Sequence, residues 1–354
     1  MPGRPTHWAA ASPPRRPVSH LQSSRAVASI PTMTTSSTPS AGTHGPLGAA
    51  VAIEEAFDAA QRRTAHSTEG ALPSIYPVLA EVDPRLFGLC AVDIAAGRWT
   101  VGDASAEFAV MSAIKPFTFA LVCAQRGAQR VAAEIGVNAT GGVYNDPTAV
   151  RTGADGRTNP MVNAGAIATV DRIPGADLEA RWRALLDGLS AFAGRPLSVD
   201  PMIYANVSAT NARNHELAEA LAQRSLLVHS PFQAVELYTR QSCLTTTAQD
   251  LAVMGATLAN AGRNPITGVA VVPAEVCAPA LAVMLTAGLY ENSGEWLYEV
   301  GLPAKTGLGG GIVAIVPGRG AIGGFSPLLD AAGNTVRGAQ AMAQVAQYLK
   351  LGLL

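Results

Sequence analysis

The sequence predicts a mixed α/β protein of the α+β kind: one mostly antiparallel sheet assembled from both chain ends, flanked by helices, with a helical lobe between. Three observations predict it. A helical segment and two strand-like runs stand early in the chain, helix-period segments fill the middle, and a glycine-rich, β-branched region followed by an amphipathic segment closes it.

Residues 1–46 are rich in Pro, Ser, Thr and Arg without sustained periodicity. Such a segment buries too little apolar area to offset its chain entropy, so a disordered tail is expected, with the folded domain over 47–354. A targeting role, or a true start at Met33, is the alternative, and composition separates neither. "LGAAVAIEEAFDAAQRRT" then has helical spacing, and "LFGLCAVDIAAGRWTVGD" reads as two strands around an AAG turn. From "MSAIKPFTFALVCAQRGAQRVAAEIG" through "LEARWRALLDGLSAFAG" and "NARNHELAEALAQRSL" to "TAQDLAVMGATLANAG" the pattern is helical, with Gly closing several segments. "LPAKTGLGGGIVAIVPGRGAIGGFSPLLD" reads as strands with turns at Pro317-Gly318 and Ala332-Gly333, and "TVRGAQAMAQVAQYLKLG" as a closing amphipathic helix.

With 354 residues, 48% apolar and 14% charged, the chain has ample material for a large core, and a formal charge of -1 gives no electrostatic case for nucleic acid or an anionic membrane. A small neutral or zwitterionic ligand fits better. No apolar run reaches the ~20 residues of a membrane span, and no apolar stretch follows the N-terminal arginines, so a cytoplasmic location is expected. Cys90, Cys123, Cys243 and Cys277 are far apart and read as buried thiols, while His66, His215 and His229 form no ligand-spaced pair, so no metal is expected.

The chemistry is concentrated in "FAVMSAIKPFTFALV", residues 108–122, where Ser112 and Lys115 interrupt an apolar run. On a helix, residues three apart have Cβ atoms about 5 to 6 Å apart, and Pro116 places both at a helix start. A lysine desolvated among Ile114, Phe117 and Phe119 has its ammonium form disfavoured and becomes a usable base for a serine nucleophile. Free N–H groups at the same helix end can hold an oxyanion. Alone, SxxK also fits a surface helix. The later "GLPAKTG", residues 301–307, supplies the Lys-Thr-Gly that accompanies SxxK in serine β-lactamases and penicillin-binding proteins, where that strand walls the site. "TGLGGGI" is not a nucleotide loop: it leads into a β-like run, and the chain has no GxxxxGK[ST].

From about Ala49 onward the chain resembles the serine-dependent glutaminases, a family of β-lactamase-like fold that hydrolyses L-glutamine to L-glutamate and ammonia. The likeness rests on "VDPRLFG", "MSAIKPF", "NPMVNAGAIAT", "ATNARN", "LYTRQSCL", "DLAVMGATLANAGRNPITG", "GLYENSG" and "GLPAKTGLGGGI", in that order. It implies that Ser112 is acylated and Lys115 is its base. Asn163, Asn214, Tyr238 and Tyr290 are implied to contact substrate, with one or both tyrosines relaying protons. The Leu308 N–H completes an oxyanion hole with that of Ser112. The bland alternatives are asparagines that tie down loops and a Tyr238 that is a core aromatic. The resemblance implies no cofactor, a small-molecule amide substrate and a homodimer or homotetramer.

The pattern breaks in three places. Met111 stands where the family has glutamine, Val207 where it has a glutamate facing the substrate's amino group, and Ile75 where it has a tyrosine, with Tyr76 next to it of undetermined direction. An ammonium with no carboxylate partner carries a desolvation penalty of roughly several kcal/mol, so an amidase of the same fold acting on a different carboxamide is an alternative. "YAN", Tyr204–Asn206, matches a YxN element and leaves a penicillin-recognising hydrolase as another alternative. An inactive binding relative is the third.

Overall fold

The computed structural model describes residues 47–353; the tail expected over residues 1–46 lies outside them. The strands are β1 (Gly88–Asp93), β2 (Arg98–Gly102), β3 (Phe108–Ala109), β4 (Thr245–Thr246), β5 (Ala304–Thr306), β6 (Gly311–Val316) and β7 (Gly320–Phe325). Five form one antiparallel sheet in the order β2-β1-β7-β6-β5. The register Gly88↔Phe325 and Phe325↔Gly311 ties the early hairpin to the late strands. The AAG turn forms as expected: Asp93 Oδ1 accepts from the N–H groups of Ala95 and Gly97 at 2.9 and 2.8 Å.

Helices cover both faces, which is why β1, β6 and β7 are buried at every position. On the outer face lie Ala50–Thr64 and Val336–Tyr348, sharing a core of Ile53, Phe57, Leu89, Ile322, Met342 and Val345. On the inner face, helix Ala248–Ala259 approaches closely because the facing residues are small. A Cβ on Gly323 would meet Ala248 O at 2.1 Å, and one on Gly255 would meet Ala321 Cβ at 2.6 Å. That helix starts with a capping box between Thr247 and Asp250, and Arg195 clamps the Asp250 carboxylate with bonds of 2.7 and 2.6 Å.

The inserted helices, among them Lys115–Arg126, Asn163–Val170, Leu178–Ala193 and Pro231–Ser242, do not form a separate body. Phe117, Ile167, Phe192 and Leu237 pack in one continuous core with Val313, Ile315 and Phe325 of the inner sheet face. Burying each such side chain contributes about 1.5–3 kcal/mol, so the core holds the lobe's helix starts at the sheet's edge, where Ser112 stands. Among the described residues no single helix is long and apolar enough to cross a membrane.

Candidate active site

Ser112 is presented by a sharp turn. The β3–β4 ladder and a bond from Val110 N–H to Leu244 O, 2.9 Å, fix the chain just before it. Met111 then takes φ 47°, a left-handed value that costs a non-glycine residue about 1 kcal/mol or more. A 3₁₀ turn over Met111–Ile114 leads into the helix Lys115–Arg126, with Pro116 in its first turn, where a missing N–H costs nothing. Gly307, just past β5, lies against this turn: a Cβ there would stand 2.7 Å from Val110 O and 3.0 Å from Ser112 N. The backbone N–H groups of Ser112 and Leu308 have no acceptor among the described residues.

Lys115 is buried behind this turn, and burial pushes its pKa from 10.5 down to about 7. The expected contact with Ser112 is not a hydrogen bond: Nζ donates to Met161 O at 3.2 Å and Asn163 Oδ1 at 2.7 Å. With Lys115 donating to Asn163 Oδ1, each asparagine beyond it is oriented with its Nδ2 donating to the next residue. Asn163 Nδ2 donates to Asn214 Oδ1 at 3.0 Å, Asn214 Nδ2 to Asn211 Oδ1 at 2.6 Å, and Asn211 Nδ2 to Thr239 Oγ1 at 2.7 Å. Tyr238 Oη donates to the same Asn163 Oδ1 at 2.9 Å.

Ser112, Asn163, Asn214, Tyr238, Val207 and Leu308 all line one pocket. Lys115 does not; it reaches the pocket through Asn163. Tyr290 is not on that wall but lines the neighbouring cleft; its backbone takes φ 55° and its ring is 4.5 Å from that of Tyr144. Its buried hydroxyl faces Ser112 and has no partner within hydrogen-bond distance among the described residues. Burial holds the Tyr238 and Tyr290 phenols well above their ordinary pKa, neighbouring tyrosines add to this, and Ser112 opposes it at both. Lys305, expected along the site wall, is instead fully buried beneath Tyr290, 4.0 Å from the ring centroid, donating to Gly288 O and Thr306 O at 2.8 Å each. Burial, and then the charge of Lys115, lower its pKa far below the usual lysine range.

Several pocket residues were not singled out from sequence: Tyr144, Asn145, Asn211, Arg213 and Thr239. Asn211 and Asn214, three apart at a helix start, carried a legible signal; Tyr144 sits in an irregular glycine-rich loop that carried none. Tyr76 points inward, is buried and has its pKa pushed up to about 12 by desolvation, while Ile75 lines the pocket but is 42% exposed. Tyr204 and Asn206 are not on the pocket wall: Tyr204 Oη donates to Glu236 at 2.6 Å, and Asn206 Oδ1 accepts from Val78 N–H at 3.5 Å.

An antiparallel sheet from both chain ends, helices on both faces and a serine turn at the sheet edge define a β-lactamase-like architecture. The chain belongs to the glutaminase family: a family model described as Glutaminase matches residues 70–353. It is 48% identical over 279 residues to Glutaminase 2 of Yersinia pestis, covering 79% of this chain and 82% of that one. It is 42% identical over 301 residues to a glutaminase of Mycobacterium ulcerans, covering 85% and 94%. Among solved structures, the probable glutaminase ybaS superposes with TM-score 0.84 at 36% identity, covering 86% of this chain and 99% of that one. Mglu in its glutamate form superposes with TM-score 0.80 at 35% identity, covering 84% and 68%.

Proposed function

We infer that the protein is a serine amidohydrolase that converts L-glutamine and water to L-glutamate and ammonia through an acyl-enzyme on Ser112. The observation that carries this reading is Ser112 on the wall of one pocket with Tyr238, Leu308 and two unpaired backbone N–H groups, with Tyr290 beside it and a depressed-pKa lysine reaching the same pocket through Asn163.

Neutral Lys115 gives its two N–H groups to Met161 O and Asn163 Oδ1, which leaves its lone pair free to take a proton. The Ser112 Oγ–H bond breaks toward that nitrogen, and Oγ attacks the carboxamide carbon. The N–H groups of Ser112 and Leu308 receive the oxyanion. The proton then passes to the leaving nitrogen, with the hydroxyl of Tyr238 or Tyr290 as carrier, and ammonia departs. Water repeats the sequence on the ester, releasing the acid and restoring Ser112. Every atom comes from substrate, water and side chains, so these steps use no cofactor.

Rapid-quench mass spectrometry with glutamine is expected to find an acyl adduct on Ser112, and Ser112→Ala is expected to abolish ammonia release. Full activity in Ser112→Ala would overturn the reading.

A further inference from the structure

We propose that the pocket selects linear ω-carboxamides that carry a carboxylate but no free ammonium, the deaminated or N-acylated relatives of glutamine, over glutamine itself. This rests on the amidohydrolase reading and adds the substrate class.

The first observation is charge. Among the described residues, no aspartate or glutamate lines the pocket, and its one ionic side chain on the wall is Arg213. The acids nearby are committed or face elsewhere. Glu216 pairs with Arg151 and Arg213, and Glu236 with Arg240 and the Tyr204 hydroxyl. Glu291 lines the neighbouring cleft with Tyr290. Arg213 is half exposed and pairs with Glu216 through one nitrogen only, so its remaining N–H donors are what a substrate carboxylate can meet, while a substrate ammonium meets no counterion.

The second observation is the set of neutral acceptors. An ammonium has three donors and needs lone pairs once water is stripped away. Asn163 Oδ1 already accepts twice, from Lys115 and Tyr238, and the oxygens of Asn214 and Asn211 accept once each, so the chain leaves an ammonium, with its three donors, at most one neutral lone pair on each of these two. Turning any amide to greet an ammonium would set two donors face to face. Thr239 Oγ1 is likewise occupied, accepting from Asn211 and donating to Val235 O.

The third is the apolar wall. Met111 and Val207 are buried and pack with Tyr76, Leu79 and Cys243, with Leu308 against them. A methylene or the carbon face of an acylamino group fits against this surface, whereas an ammonium placed there loses its hydration without compensation.

The test is ammonia release by the full chain from L-glutamine, from glutaramate, which has hydrogen in place of the amino group, and from N-acetyl-L-glutamine. The expected result is a kcat/KM at least tenfold higher for one or both ammonium-free amides. Activity on glutaramate alone assigns a deaminated substrate, and activity on N-acetyl-L-glutamine alone an acylated one; either supports the proposal. Val207→Glu is expected to shift the preference toward glutamine by at least tenfold. The wild-type ranking decides the matter even where that variant fails to fold. Equal or higher kcat/KM for glutamine overturns the proposal and leaves the amidohydrolase reading standing. No ammonia from any of the three overturns both.

Discussion

Lys115 Nζ lies 2.7 Å from Asn163 Oδ1, so the base is held by an amide from a helix start 48 residues along the chain and not by the serine one turn away. Asn163→Asp keeps the shape but sets a carboxylate against the ammonium, which raises a partner's pKa by about one to three units. The acidic limb of the kcat/KM profile is expected to move up by that amount, lowering activity at pH 7 about tenfold or more and recovering it at higher pH. Asn163→Leu, which leaves Lys115, Tyr238 and Asn214 without their partner, is expected to lose activity at every pH. A pH–rate series on both variants checks this.

Burial of Lys115 also links stability to pH. Its pKa falls from 10.5 to about 7 on folding, so between those values the unfolded chain binds more protons and stability rises with pH. Activity needs the neutral amine and rises through the lower end of the same window. Lys115→Met is expected to abolish catalysis, to flatten the stability slope between about pH 7 and 10.5, and to leave the residual slope to Lys305, whose pKa is lowered the same way. Denaturant unfolding of both proteins across that range measures it.

The sheet was legible because its strands alternate or run apolar between Gly and Pro turns, while the helices carry the longer period. Ser112, Asn163, Asn214, Tyr238 and Leu308 were legible as members of short motifs, and all five line the pocket. Spacing did not reveal which acceptor Lys115 takes, since that follows from how the helix beginning at Asn163 packs against the one beginning at Lys115. Lys305 was placed on the site wall by its motif, but its nitrogen is drawn under Tyr290 by two carbonyls and the ring face. The direction of Tyr76 was illegible because its segment is irregular, so strand alternation does not apply.

Away from the pocket, Asp171 is buried and accepts from Arg181 at 3.2 Å and from the N–H groups of Val228 and His229. Asp171→Ala leaves the almost fully buried Arg181 guanidinium without its counterion, a change that costs about 3–5 kcal/mol. Thermal unfolding is expected to fall markedly, while kcat at a temperature where the variant is folded stays within about threefold of wild type. A loss of kcat in the folded variant would show that this cluster reaches the site.

Gly307 tests the oxyanion hole without touching a reactive side chain. A methyl group there would press on Val110 O, Ala113 N and Ser112 N at 2.7, 2.9 and 3.0 Å, so the segment leading to Leu308 must retreat from the serine turn. Losing one oxyanion donor costs about 10²- to 10³-fold in rate. Gly307→Ala is expected to lower kcat within that range with a smaller change in KM; steady-state kinetics on the preferred amide separates the two. An equal loss in KM alone would mean that Gly307 shapes substrate binding instead.

Tyr290 carries the sharpest separation of stability from function. Its hydroxyl is buried with no hydrogen-bond partner among the described residues, and its backbone takes φ 55°. An unsatisfied buried polar group costs about 1–3 kcal/mol. Tyr290→Phe removes that cost while keeping the ring that caps Lys305 and meets Tyr144. The variant is therefore expected to unfold at an equal or higher denaturant midpoint than wild type. If the hydroxyl carries a proton between Ser112, Lys115 and the leaving nitrogen, kcat falls about 10²-fold or more in the same protein. A variant that is both more stable and fully active would assign the relay to Tyr238, whose hydroxyl already donates to Asn163 at 2.9 Å.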